Sequence, residues 1–232
     1  ILMKVFGPMT EQWSEILCII IVATITIANL FAIRQNNLKR FMAFSSISQA
    51  GYIMLAVLAG TPQGMASLVY YIVVYIAANL AVFGVINTIE QHTHGKIERE
   101  DYNGLYKTNP KLTMVMTLAL FSLAGIPPFA GFFSKWYLAT AALSPEFGAL
   151  GIVGAAVLLL SALLTAGYLF PIVQTAFFPG KDYNYAGLVK TEPNAYMTVP
   201  LIILSVCALG LGIMPGGLTG AIGNIISVIL PV

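Results

Sequence analysis

Residues 121–137 read FSLAGIPPFAGFFSKWY, and this stretch decides the fold. It sits in an apolar segment from about 112 to 143 and carries a double proline, Pro127 and Pro128, and a lysine, Lys135, far from either end. As one straight helix the segment would measure about 48 Å, against a hydrocarbon core of about 30 Å. Neither proline has an N–H, so the carbonyls of Leu123 and Ala124 lose their helical partners, and the residue before each proline is pushed toward an extended backbone. The expectation is a discontinuous helix interrupted at Gly125 to Pro128, with Gly125 and Gly131 allowing neighbouring helices to approach closely. A simple proline kink is the alternative. Broken backbone is tolerated at membrane depth only where it is buried in protein or lines a wet cavity.

Lys135 lies about ten residues before the Ser144-Pro145 turn, roughly 15 Å along a helix and so near mid-membrane. Placing an ammonium there costs about 2.5–3.5 kcal/mol on insertion scales. The cost falls if the amine faces a hydrated interior or gives up its proton; snorkelling to the interface is the structural alternative, hindered by the depth. No Asp or Glu lies deep within any span, which leaves Lys135 as the candidate for proton transfer, with Gly125, Pro127, Pro128 and Ser134 supporting the break. Ser45, Ser46, Ser48 and Gln49 open the second span and carry two readings: donors to a water chain, or bonds to backbone carbonyls and a facing helix, the commoner role for such side chains. Asn29, Asn79, Asn87 and Gln174 read as interhelical glue, and Tyr52, Tyr70, Tyr71, Tyr75, Tyr137 and Tyr168 as interfacial or packing residues.

The rest of the chain is consistent with that segment. With 58% hydrophobic and 9% charged residues and a mean hydropathy of +0.86, it cannot present the polar surface of a soluble domain. Continuous apolar runs, not alternating ones, exclude a membrane barrel and predict an all-α polytopic bundle of about six spans: 16–33, 41–60, 65–89, the interrupted 112–143, 148–178 and 196–213, then a Gly-rich apolar tail. Threading these spans gathers Arg34, Lys39, Arg40, Lys96, Arg99, Lys107, Lys111, Lys181 and Lys190 on one side, nine of the eleven basic residues. The positive-inside rule makes that side cytoplasmic and puts the C-terminus opposite. Ile1 to Phe6 read as the tail of a helix begun earlier, so residues 1–232 are taken as one transmembrane domain, the C-terminal fragment of a longer subunit.

Cys18 and Cys207 lie in apolar spans without metal spacing and read as packing residues. His92 and His94 fall in the polar loop 90–111 with no further ligands, so no metal site is expected. Phosphate-binding, dinucleotide and nucleophile motifs are absent, nothing points to nucleic acid, and no cofactor is expected in this chain.

Asn37-Leu38-Lys39-Arg40, the run from Ala43 to Tyr52, the run from Ser122 to Pro128, Gly131-Phe132 and Ser134-Lys135 together resemble the antiporter-like proton-channel subunits of respiratory complex I, nearest to the subunit N group of the bacterial NADH-quinone oxidoreductase. The resemblance covers nearly the whole chain and is densest from 34 to 143. It implies a fold of fourteen helices holding two inverted five-helix repeats, of which this chain supplies the second repeat and the last helix. It also implies that Lys135 is the buried lysine of the discontinuous helix, a proton carrier. The first repeat, with its glutamate and lysine partners, and a central-axis lysine would lie upstream of Ile1. Many members carry histidine where Gln49 stands; glutamine does not titrate, which leaves this position hydrogen bonding alone. The segments Ser134 to Leu138, Leu160 to Leu164 and Tyr168 to Val173 also resemble Mrp-type cation/proton antiporters and membrane-bound hydrogenase subunits.

The resemblance implies a subunit of a redox-driven proton translocase in a bacterial inner membrane, with no redox site of its own and with membrane and peripheral subunits as partners. A sodium/proton antiporter or hydrogenase subunit is the near alternative, with sodium as the other ion. A structural scaffold, whose lysine only forms an ion pair, is the alternative of another class.

Overall fold

Helix α1 (Thr10–Ile33) buries Cys18, Ile21, Ile25, Ala28 and Ala32 and exposes Ile16, Ile19, Ile20, Ile27 and Leu30. Both faces are apolar; the three- and four-residue spacing selects the face turned inward, and the outer face is fit only for lipid. The computed structural model describes residues 10–93, 95–144, 148–181, 183–185, 190–191 and 193–229. After α1 come α2 (Leu38–Leu58), α3 (Pro62–Thr93), a 3-10 turn at Arg99–Tyr102 and the single-turn α4 (Leu105–Thr108). Then follow α5 (Pro110–Ala124), α6 (Ala130–Ala142), α7 (Gly148–Phe177), α8 (Ala195–Ile213) and α9 (Pro215–Ile229).

Among the described residues, five helices are long and apolar enough to cross a membrane: α1, α2, α3, α7 and α8. The interrupted pair α5 and α6 supplies the sixth expected crossing. With 15 and 13 residues, neither half reaches across alone. The expected spans are present, and most begin earlier than expected: α1 at Thr10, α2 at Leu38, α3 at Pro62 and α5 at Pro110. Lys39 and Arg40 lie in the first turn of α2, and Lys111 in the first turn of α5, where Pro110 occupies N1. His92 is not in a loop: it belongs to the last turn of α3, its Nδ1 2.8 Å from the carbonyl of Thr88. Helical hydrogen bonding continues beyond residue 89, where the span is expected to end, because nothing in the sequence stops it before Gly95, whose φ is +104°. Ile1 to Phe6, Lys4, His94, Pro145 and Glu146 lie outside the described residues.

Backbone bonds tie the basic loops into one end of the bundle. Leu38 N–H donates to Ile97 (2.8 Å), Arg99 N–H to Asn36 (2.9 Å) and Gly104 N–H to Thr175 (2.9 Å). Thr191 reaches Oδ1 of Asn109 through both its N–H, at 2.7 Å, and its hydroxyl, at 2.6 Å. At the same end Lys39 pairs with Glu90. The loops following α1, α3 and α7 therefore share one side, as the threading predicts.

The glycine-rich apolar tail, to which no span is assigned, forms α9. Gly216, Gly217, Gly220 and Gly223 are poor helix formers, and tertiary packing offsets that: Ile222 and Ile226 are buried with Tyr70 and Val74 of α3. Deeper in the bundle, hydroxyl and amide groups join α1, α2 and α7. Tyr168 donates to Oδ1 of Asn29 (3.0 Å), Asn29 donates to Ser161, and Tyr52 bonds Ser161. Asn29 thus acts as the interhelical glue expected of it.

Candidate functional site

The break begins as an ordinary helix stop. Gly125 takes the left-handed conformation (φ +83°), its N–H donating to Ser122 and Phe121, while the N–H of Ile126 reaches back to Phe121 at 3.1 Å. These bonds satisfy the carbonyls of Phe121 and Ser122. The carbonyls of Leu123 and Ala124 would next receive the N–H groups of residues 127 and 128, and both are proline.

Lys135 fills that gap. Its Nζ donates to the carbonyl of Leu123 at 2.8 Å and to that of Ala124 at 2.9 Å. The two anomalies of the sequence, a double proline and a buried cation, are one device: the prolines orphan two acceptors and the lysine occupies them. Hydrogen bonds to a charged group contribute about 1.5–3 kcal/mol each, enough for two of them to offset an insertion cost of about 2.5–3.5 kcal/mol.

Local sequence makes this contact possible. Lys135 points inward and is 6% exposed, whereas the adjacent Trp136 is 55% exposed, so the amine does not snorkel. A Cβ on Gly125 would stand 3.0 Å from Cδ and 3.2 Å from Nζ of Lys135. A Cβ on Gly131 would stand 1.6 Å from the carbonyl oxygen of Ser122, so the start of α6 lies against the backbone end of α5. The expected close approach at the break is therefore made at Gly131, between the two halves of one crossing. Ser134 donates to Gly131 at 2.9 Å and secures the first turn of α6. The ring of Tyr52 stands 5.6 Å from Nζ, a cation–π distance. Among the described residues the one salt bridge is Lys39–Glu90, so no carboxylate holds Lys135.

Gly125→Ala is expected to cost about 1–2 kcal/mol from the left-handed backbone alone and to crowd Lys135 further. Thermal unfolding of the variant protein, relative to its parent, checks the size of the effect.

A family model described as NADH:quinone oxidoreductase/Mrp antiporter, TM, matches residues 1–161. The chain belongs to this family. The NADH-quinone oxidoreductase subunit N of Phocaeicola vulgatus is 68% identical over 216 residues, covering 93% of this chain and 44% of that protein. A chain of respiratory complex I from Thermus thermophilus superposes with a TM-score of 0.75 at 27% identity, over 90% of this chain and 45% of that one. A chain of the Mrp complex from a Dietzia species gives 0.79 at 25%, over 93% and 47%. This chain spans about half the length of the relatives it matches.

Within this member of the NADH:quinone oxidoreductase/Mrp antiporter family, the expected residues divide. Gly125, Pro127, Pro128, Ser134 and Lys135 form one constellation. Ser46 and Ser48 stay apart from it: their hydroxyls donate to Met42 and Ser45 carbonyls at 2.8 Å, the backbone role. Ser45 lies 3.5 Å from the hydroxyl of Tyr168, in the cluster joining α1, α2 and α7. Gln49 does reach the site. It accepts from Tyr71 through Oε1 and lines, with Ser122, Ser134 and Lys135, a small chamber of about 10 Å³. Sequence reasoning missed Tyr52, Tyr71 and Ser122 as neighbours of the lysine. The spacing of Ser45, Gln49 and Tyr52 along one face of α2 held a signal for Tyr52; nothing local pointed to Tyr71.

Proposed function

We propose that this chain is the Lys135-bearing half of a proton-translocating membrane-arm subunit of an NADH-quinone oxidoreductase. The observation that carries the reading is the lysine amine held by two orphaned carbonyls of an interrupted helix, with no carboxylate against it. An ammonium in an ion pair is locked in its charged form; one held by carbonyl dipoles alone has its charge balanced only in part. Such an amine releases and recovers a proton as its surroundings change, and each change loosens or tightens the joint between α5 and α6. The sequence identity with subunit N supports this member of the family over the antiporters.

Electron transfer, nicotinamide and quinone belong to partner subunits, and this chain holds no cofactor of its own. The basic loops face the cytoplasm of a bacterial cell, and the C-terminus faces the other side. Single cysteines placed in the loops after α1 and α7 are expected to react with an impermeant thiol reagent only when applied from the cytoplasmic side; labelling from outside in intact cells would reverse the topology.

A second reading follows from the Mrp likeness: a sodium/proton antiporter subunit. It requires transport by the intact complex to respond to sodium, and sodium-independent pumping removes it. The central experiment, replacement of Lys135 in the intact enzyme, also separates a relay from a scaffold.

A further inference from the structure

The chamber beside Lys135 holds two polar atoms that no side chain or backbone group of the described residues answers. Nε2 of Gln49 and Oγ of Ser122 are buried and have no hydrogen-bond partner among the described residues. Both residues are 1% exposed, and both line the same chamber of about 10 Å³ with Lys135. Leaving such groups unpaired forfeits the hydration they had in water with nothing in return. They come from elements far apart in the chain, Gln49 from the middle of α2 and Ser122 from the last turn of α5. The surrounding acceptors are already engaged: Oε1 of Gln49 by the Tyr71 hydroxyl, the Leu123 and Ala124 carbonyls by Lys135.

We propose that this chamber is a binding site for a single water molecule, held by Gln49 Nε2 and Ser122 Oγ, which takes the third N–H of Lys135 and is the first carrier of its proton. The size fits, since about 10–15 Å³ of this measure admits one water, and so does the chemistry, since a buried water needs two to four polar partners. Gln49 and Lys135 donate and Ser122 accepts or donates, so a water that accepts two bonds and gives one satisfies all three. The same donor set rejects a metal cation. A hard cation requires several oxygen ligands; here one wall is an amide N–H, another is an ammonium, no carboxylate is present, and the carbonyls are taken. Gln49 is thereby a positioning residue, acting on Lys135 through the water, and the site discriminates protons from sodium.

The occupancy of the site stands on the chamber alone; the carrier role rests on the proposed proton relay. The test is a map of the intact membrane enzyme, with the full-length subunit, at a resolution that shows ordered water. Density for one water within hydrogen-bond distance of Gln49 Nε2 and Ser122 Oγ is expected, and its absence overturns the site. Gln49→Met keeps the side-chain length without the donor. It is expected to lose the density and slow proton transfer by about tenfold, less than the roughly 10²–10⁴ of a proton-transferring group itself because Gln49 acts only by positioning the water. Ser122→Ala, which removes one hydroxyl and adds no bulk, is expected to act in the same direction with a smaller loss, and serves where Gln49→Met fails to assemble. A merely structural role for Gln49 predicts slower pumping with the water still in place, and that outcome overturns the assignment, as does loss of the water with pumping unchanged. Pumping by the parent enzyme is expected to be equal in sodium-free and sodium-containing media; a sodium requirement overturns the discrimination. Lys135→Met with normal pumping would remove the relay and leave the water site standing, so the two failures are distinguishable.

Discussion

Replacing Lys135 with methionine in the intact enzyme is expected to reduce proton pumping through this subunit by at least about tenfold, since positioned proton-transfer groups contribute roughly 10²–10⁴ in rate. Methionine matches the length and flexibility of the lysine stem but offers neither proton nor donor. It also returns the carbonyls of Leu123 and Ala124 to their unpaired state, at about 1–3 kcal/mol each. Lys135→Met therefore carries two effects, lost proton transfer and a weakened joint between α5 and α6. Lys135→Arg separates them. A guanidinium donates to both carbonyls and does not deprotonate in proteins. The arginine variant is expected to recover thermal stability relative to methionine while pumping stays low. Proton uptake by vesicles containing the enzyme, measured per NADH oxidised, reads the transport; a thermal inactivation series reads the joint. Normal pumping in Lys135→Met would falsify the relay and leave a scaffold with a capping lysine.

Gly131→Ala is expected to prevent the subunit from accumulating in the assembled membrane enzyme. The added methyl would sit 1.6 Å from the Ser122 carbonyl oxygen and 2.6 Å from its carbon, both backbone atoms with no rotamer to yield. Overpacking ordinarily costs about 1–3 kcal/mol because side chains move aside; here α6 itself must withdraw from α5. The withdrawal strains the 2.8 and 2.9 Å bonds of Lys135 in the same step, so packing and the orphaned carbonyls fail together. Gly167→Ala is the matched control: a methyl there meets nothing within 4 Å, and alanine is about 0.5–1 kcal/mol more favourable than glycine inside a helix. Native gels probed for the subunit should show Gly167→Ala at the parent level and Gly131→Ala strongly depleted. Equal accumulation of the two would mean that α5 and α6 are not held at this contact.

Partial legibility of the site follows from the kinds of residue involved. Pro127, Pro128 and Lys135 announce themselves because each violates a local rule of the membrane interior, an N–H for every carbonyl and no charge at depth. Ser46 and Ser48 obey such rules: a serine in an apolar helix bonds its own backbone without any partner elsewhere. Gln49 looks the same in the sequence and behaves differently, since Tyr71 engages one end of its amide and the other end opens on the lysine chamber. That the loops after α1, α3 and α7 share one end of the bundle was legible because alternating spans and the accumulated bias of basic residues are read along the chain without knowledge of contacts. Helix α9 was not, because four glycines argue against a helix and the opposing term is burial of Ile222 and Ile226 with residues some 150 positions away.

By itself the sequence determined that this chain is an α-helical membrane bundle, that its fourth crossing is broken between Gly125 and Pro128, and that a lysine stands at depth just beyond the break. Those properties are sums or violations along the chain: hydropathy over twenty residues, a missing N–H, a charge out of place. Tertiary structure alone decided what Lys135 holds, because its partners are the two carbonyls that the prolines left empty, reached only when the start of α6 lies against the end of α5 at Gly131. It also decided that Gln49 and Ser122 share the chamber of Lys135 while Ser46 and Ser48 do not. The physical reason is range: hydropathy and backbone valence are local quantities, but which polar atoms meet depends on helix rotation and packing distance, and close packing sets those for the whole bundle at once.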